Sequence, residues 1–488
     1  MPITRRSFLQ AAAASLSLTA LPTRADSPND RLRVGVIGTG VRGKYLIGNL
    51  PPSVTVGAIC DCASLRIASV MEPTGTFSKV LAQFTQADAA KCGTYQDYRR
   101  LLDRAKDKDK LDAVIIATPD HHHALAAILA LQAGLDVYLE KPLTVTIREG
   151  RLLADAVKRT GRVLQVGSQQ RTMEVNRFAC EFIRNGGLGK ISKVELPNYP
   201  GPLPVPSLDA EPVFGGVDFD LFCGPAPLRP HHRQLWMKED FKVGDLLWRG
   251  WDVFRDYSGH LMTNWGAHTV DMVQLALGRD DTGPVEVRVI EPASVVDLWP
   301  HWKAKTPEPV GWDSIPTNKS PSVGQEKGRD GIPTDSDRRF WPVTMKYADG
   351  IELHFTPWAK TTDLRHGPDF IVFHGEKGRL KMRRNYFETD PPGLVTGGPD
   401  AAVASKWAGG GHVARPHLEN WLDAIRSGAK LNAPIEAGHR TVTICHLANI
   451  ARALNRPLRW DPIREQFLED AAANESLSRP CRNGFSLP

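Results

Sequence analysis

The chain has 488 residues, 41% of them hydrophobic and 24% charged, with a formal net charge of +6. That composition is ordinary for a globular protein of two or three domains, each able to bury its own core. Arg5, Arg6 and Arg24 sit in an N-terminal leader and all 55 acids follow it, so the remainder is close to charge balance. A basic nucleic-acid surface is thereby excluded. The seven cysteines include Cys60 and Cys62 as C-x-C and are otherwise scattered, which fits neither a disulfide scaffold nor a zinc ribbon.

The first 25 residues pair Arg5-Arg6 with a short, Ala-rich apolar run and end in Thr23-Arg24-Ala25. This looks like a twin-arginine (Tat) signal peptide cleaved after Ala25, and the apolar run is too short to span a membrane. The expectation is a protein exported, already folded, to the periplasm, with no stable membrane anchor.

Arg31–Ile37 (RLRVGVI) reads as a buried strand, and Gly38-Thr39-Gly40-Val41-Arg42-Gly43 follows at once, ahead of a helical stretch from Lys44. A G-x-G-x-x-G between strand and helix is the fingerprint of a dinucleotide site. Gly38 permits the turn, Gly40 lets the backbone approach a pyrophosphate, and Gly43 lets helix and strand pack closely. A second strand, Val54–Cys60, ends in Asp61, whose carboxylate suits the ribose hydroxyls of NAD and repels a 2′-phosphate. Arg42 and Arg66 nearby leave NADP in play.

Leu111–Ala117 is the next strand, and Thr118-Pro119-Asp120 a turn in which Asp120 is expected to cap a helix over His121–Ala133. Three consecutive histidines cannot converge on one ion from a helix, so His121–His123 read as first-turn residues beside the cofactor, His123 among them. Leu135–Leu139 then leads into Glu140-Lys141-Pro142. A helix over Ile147–Arg159 and a strand over Val163–Val166 complete a doubly wound parallel sheet near residue 170. The glycine loop, Thr118–Asp120 and Glu140–Pro142 all fall at the carboxyl ends of strands, where such sheets bind ligands. Gln169, Gln170 and Arg171 follow the last strand and can reach cofactor or substrate.

The glycine loop, ATPDHHH (117–123) and AGLDVYLEKPL (133–143) together resemble the Gfo/Idh/MocA oxidoreductases. The resemblance implies a Rossmann domain over 31–170 and an α/β substrate and oligomerisation domain over 171–488 with a large, mainly antiparallel open sheet. It also implies NAD as cofactor, a homodimer or homotetramer, a cis-Pro142, and Lys141 reaching the substrate oxygen under attack.

In the second half the informative segment is YSGHLMTNWGAHTVDMV (257–273), where a helix puts Asn264 and His268 on one face. The family's pattern there is D-x-x-x-H, whose histidine exchanges the substrate's hydroxyl proton. His268 matches it and Asn264 departs from the aspartate. An amide orients a partner but holds no negative charge, so another acid takes over, or His268 acts alone, or the chemistry is weakened. Asp271 is one candidate compensator, with an interdomain salt bridge as the equal alternative. His260 stands where relatives often have glycine and reads as a structural histidine.

All twelve tryptophans lie between 236 and 460. Indole faces suit sugar rings as well as cores, and Trp248, Trp251 and Trp265 are the pocket candidates. Residues 291–342, proline-rich and without periodicity, read as a lid or subunit contact. The helical segment His417–Pro462 also matches the family and is expected to pack back across both domains, with Asn420, Glu436 and His439 near the site.

These features lead to an exported NAD-dependent oxidoreductase acting on a sugar, cyclitol or sugar derivative, with Lys141 polarising the oxygen and His268 moving the proton. Scarce free cofactor outside the cytoplasm favours NAD that is held tightly and recycled in place. The alternatives are an NAD-dependent glycosidase working by transient oxidation and elimination, which needs a further base, and a non-catalytic sugar-binding protein.

Overall fold

The computed structural model describes residues 31–291, 338–356, 370–407 and 413–488, apart from 206 and 237–249. The leader, Trp248 and nearly all of the 291–342 segment lie outside the described residues. Among the described residues no helix is long and apolar enough to cross a membrane.

The first layer follows from short runs of branched apolar residues punctuated by glycine. β1 (Leu32–Ile37), α1 (Val41–Asn49), β2 (Val54–Cys60), α2 (Ser64–Met71), β3 (Gly93–Tyr95), α3 (Tyr98–Arg104), β4 (Ala113–Ile116), α4 (His123–Gln132), β5 (Asp136–Leu139), α5 (Ile147–Thr160) and β6 (Leu164–Val166) alternate. The six strands form one parallel sheet in the order β3-β2-β1-β4-β5-β6. The order reverses between β1 and β4, which opens a crevice at their carboxyl ends. Helix α4, HALAAILALQ, is apolar almost all round and correspondingly buried. Helix α5 is amphipathic, capped by Thr146 accepting from Glu149 N at 3.2 Å and closed by Gly161 at φ 64°.

Two expectations are corrected in this layer. Helix α1 starts at Val41 with Gly40 as its N-cap, not at Lys44, so its first turn belongs to the glycine loop. Asp120 is not a helix cap. It opens a 3-10 turn over Asp120–His122 that makes no side-chain cap, and its carboxylate turns inward to accept from Ser258 Oγ at 2.6 Å.

The second layer is a nine-stranded sheet, mostly antiparallel, with α6 (Glu174–Arg184) and α7 (His260–Leu277) packed on one face. Its strands include β7 (Ile191–Pro197), β8 (Glu286–Val289), β9 (Val343–Lys346), β10 (Glu352–Thr356), β11 (Ile371–Gly375), β12 (Gly378–Arg383) and β13 (Tyr386–Asp390). Only β7 and β10 pair in parallel. The chain then returns to the first layer. In α8 (Arg415–Ser427), Leu418, Trp421 and Leu422 join the core around Val34, Ile115 and Tyr138. Helix α9 (Ile435–Leu454) lies along both α7 and α5, as expected of this segment. Trp407, Trp421 and Trp460 are fully buried, so they build core.

The junction of the layers is ionic. Arg171, just past β6, donates to Asp271 on α7 at 2.8 Å and to Asp280 at 2.9 and 2.7 Å. Thr441 of α9 donates to the same Asp271 oxygen at 3.0 Å. Arg171 and Asp271 are both almost fully buried. Of the two roles open to Asp271 the salt bridge is the one observed and it does not serve His268, while Arg171, expected to reach cofactor or substrate, is instead committed to that pair, which fastens the layers. Asp271→Ala leaves a buried guanidinium half-paired, and a loss of about 3–5 kcal/mol is expected in denaturant unfolding. An unchanged midpoint would contradict the clamp.

Candidate active site

Three glycines shape the nucleotide loop, two of them by what they exclude. A Cβ on Gly38, at φ 90°, would lie 2.5 Å from Ala117 O, and one on Gly43 would lie 2.0 Å from Gly38 O. Gly40 faces open space, its nearest neighbour being Arg66 Nη1 at 3.9 Å from the notional Cβ. The first turn of α1 carries neither an acid nor a side-chain cap, so its N–H groups are presented to an anion. Asp61 is fixed beside the loop: Thr39 N and Oγ1 donate to Oδ2 at 2.9 and 3.3 Å, and Ala63 N to Oδ1 at 3.0 Å. These residues fit a dinucleotide with its pyrophosphate at Gly40 and a ribose at Asp61.

Arg42 donates to Glu140 at 2.7 Å and to Gln169 Oε1 at 2.8 Å, tying the loop to the ends of β5 and β6. Arg66 stacks over Trp236 at 4.5 Å. Both arginines thus have protein partners, which removes their main weight on the NADP side. Thr118 and Pro119 close β4 beside Gly38, as expected. His123 differs: its Nδ1 lies 2.7 Å from Pro142 O and its Nε2 3.1 Å from Thr118 O. It latches the two turns together and offers no ring nitrogen to a cofactor. His121 and His122 both point at Phe222 O.

The peptide bond Lys141-Pro142 is cis. Lys141 Nζ donates to Asn264 Oδ1 at 2.7 Å, which joins residues 123 apart in the chain. His268, one turn further along α7, opens onto a small cleft shared with Gln170, Asn176, Trp265, Arg383 and Arg384. Trp265 and His268 have ring centroids 6.4 Å apart. Trp251 lies elsewhere, against the apolar cluster of Phe222 and Tyr257.

Charge sets the working states. Burial lowers Lys141 to about 8, against the pull of Glu140 and Asp120. His268 is held well below the ordinary imidazole range by burial, reinforced by Arg384, Lys141 and Arg42. Burial raises Asp120 to about 6, although His123, Ser258 and Lys141 favour its ionised form.

The hairpin residues Arg383 and Arg384 escaped sequence reasoning. Buried Asn176 holds that turn, donating to Arg383 O at 3.1 Å and accepting from Asn385 N at 2.7 Å. No local motif marks a pairing across some 200 residues. Asn420, Glu436 and His439 serve helix packing: Glu436 and Glu465 pair with Arg151, and His439 meets Glu465 at 2.9 Å. Asn420 bonds to Lys430 and Asn432.

Comparison with known proteins defines the class. Residues 32–168 match the NAD-binding Rossmann domain of the Gfo/Idh/MocA oxidoreductase family, and residues 205–307 and 334–487 match its C-terminal α/β domain. The chain belongs to this family of oxidoreductases, and its first domain is the family's NAD-binding fold.

Among individual relatives, a glycosyl hydrolase family 109 protein of Stenotrophomonas maltophilia is 32% identical over 148 residues, covering 30% of this chain and 31% of its own. Levoglucosan dehydrogenase of Pseudarthrobacter phenanthrenivorans is 30% identical over 167 residues, covering 33% and 39%. The chain thus matches only about a third of the length of these curated relatives. The WlbA dehydrogenase of Bordetella pertussis, solved with NADH and UDP-GlcNAcA, shares the fold at a TM-score of 0.53 and 15% identity, covering 88% of this chain and 99% of that one.

Proposed function

We propose that this protein is an exported oxidoreductase that interconverts a CH–OH carbon and a carbonyl on a sugar, cyclitol or sugar derivative, using tightly held NAD. NAD supplies the hydride chemistry when bound; the protein positions the carbon and manages the proton. The observation that carries the reading is the Lys141–Asn264 contact at 2.7 Å, beside His268 and at the open end of the NAD-binding sheet. Levoglucosan dehydrogenase and WlbA, named for or solved with sugar-like molecules, agree with it.

The electrostatics reassign the proton. A histidine held strongly neutral is a poor proton acceptor, so His268 serves as a neutral hydrogen-bonding group for the substrate hydroxyl. Lys141, brought to about 8, sits where a general acid–base group works best. Asn264 accepts from Lys141 and aims the amine, a task that an amide oxygen performs without charge.

The pH dependence follows. Below about 8 Lys141 is mainly ammonium, an acid ready to protonate a carbonyl; above it the free amine accepts a hydroxyl proton. Oxidation should therefore rise with pH to a plateau above about 8, and reduction should fall over the same range. Initial rates in both directions on a sugar panel test this; profiles flat from pH 7 to 9 would contradict it.

A second reading has a specific support: the family 109 glycosyl hydrolase match over about a third of the chain. Aglycone release from an aryl glycoside with no net NADH would establish it. Stoichiometric NADH from a free sugar, with glycosides untouched, would reject it.

Export rests on the Arg5-Arg6 leader. Replacing both arginines by lysine should retain the protein in the cytoplasm, measured by fractionation; normal export of that variant would refute the Tat route. Assembly as a homodimer or homotetramer through the outer face of the nine-stranded sheet completes the proposal. That face carries Lys193, Glu195, His354 and His374, and mass in solution tests it.

A further inference from the structure

The turn between β12 and β13 brings two arginines to the cleft beside His268. Arg383 and Arg384 line it together with Gln170 and His268, while Trp265 and Ile371 supply apolar wall. No carboxylate lines the cleft among the described residues. Acids on the neighbouring helices are committed elsewhere: Glu174 of α6 accepts from Arg177 at 2.6 Å, and Asp271 of α7 accepts from Arg171 and Thr441. The turn itself is pinned. Asn176, fully buried on α6, donates to Arg383 O at 3.1 Å and accepts from Asn385 N at 2.7 Å. Asn385 closes the turn at φ 57°, a left-handed conformation that asparagine tolerates.

Arg383 is held further by aromatic rings. Its guanidinium lies 5.4 Å from the Phe370 centroid and 5.1 Å from that of Tyr386. Its Nε is buried and meets no acceptor among the described residues. A buried donor left without an acceptor costs free energy, and a bound oxyanion removes that cost. The planar fork of arginine matches two oxygens of a carboxylate or a phosphate. The residues that fit a pyrophosphate lie apart, at the start of α1, so this positive cleft answers to a different group. After burial, Arg384 heads the charges that keep His268 neutral, which agrees with their sharing one cleft.

We propose that this cleft selects an anionic sugar, one carrying a carboxylate or phosphate that Arg383 and Arg384 hold while Trp265 lies against the ring. This deepens the oxidoreductase reading above and rests on it for what happens to the sugar once bound. The charged group gives the substrate a fixed end, so that the hydroxyl under attack is delivered to Lys141 and His268 rather than left to rotate in the site.

The test is calorimetric titration of the full chain, loaded with NAD, at pH 7 and constant ionic strength. The probes are D-glucuronate, D-galacturonate and D-glucose 6-phosphate, set against D-glucose and D-galactose. At least one anion should bind about 10–100-fold more tightly than its neutral parent. A preference for the uronates assigns the site to a carboxylate, and one for glucose 6-phosphate assigns it to a phosphate. Arg383→Gln and Arg384→Gln should each reduce the preference about tenfold and leave the affinity for the neutral sugars nearly unchanged. Neutral sugars that bind as tightly as every anion, no binding of any probe, or a preference that survives both substitutions would overturn the proposal. Should Arg383→Gln fail to fold, having lost its stacking on Phe370 and Tyr386, Arg384→Gln and the native panel still decide. Binding is read without turnover, so a protein that prefers the anions yet transfers no hydride would sustain this proposal and refute the oxidoreductase reading.

Discussion

Replacing Lys141 by alanine should lower kcat by about 10²–10⁴-fold while leaving the fold and NAD binding intact. Lys141 reaches Asn264, titrates near neutrality and follows a strand at the cofactor crevice. Its removal deletes both the acid for reduction and the base for oxidation, so both directions should suffer alike. Structural damage should be slight, because the lost bond to Asn264 faces a polar site. Steady-state rates with NAD titration separate the two effects. Full turnover in this variant would remove the lysine from the mechanism, whereas no turnover by the native protein across a broad sugar panel would favour a non-catalytic sugar-binding protein.

Acid should destabilise the protein steeply between pH 6.5 and 4. Burial lowers His122, His417 and His446 to about 4 and His260 to about 3. Below 6.5 the unfolded chain protonates these rings and the folded chain does not, so stability is full above 6.5 and drains away as pH falls. Each such histidine contributes a slope of about 1.4 kcal/mol per pH unit in that window. Asp120 and Asp252, raised by burial, act in the opposite sense. His121 and His268, also lowered, add to the histidine side, and Asp136 and Asp271, also raised, to the other, so a positive net slope remains near pH 5. Thermal melts across pH 4–8 check it; a flat melting temperature would mean that the rings are charged in the folded state.

The nucleotide half was legible because its signals are local. Gly38, Gly40, Gly43 and Asp61 derive their roles from spacing along one strand–turn–helix, whereas the cis bond at Lys141-Pro142 was implied only by the family resemblance. Asn264 and His268 were found for the same reason, being one helical turn apart. What failed was side-chain direction. Asp120 has the sequence context of a cap, yet Ser258, 138 residues away, draws its carboxylate inward. Arg171 reads as a residue that reaches cofactor or substrate, and the choice between compensator and salt bridge for Asp271 is made only when the fold sets the two face to face. The short strand β3 has too few residues for any period to show.

The most direct measurement is of the cofactor itself. The chain without residues 1–25, purified with no added nucleotide and then denatured, should release close to one NAD or NADH per polypeptide, identified by mass spectrometry. Release of NADP(H) instead would contradict the placement of a free ribose at Asp61. An empty protein that also fails to bind added NAD would contradict the account as a whole.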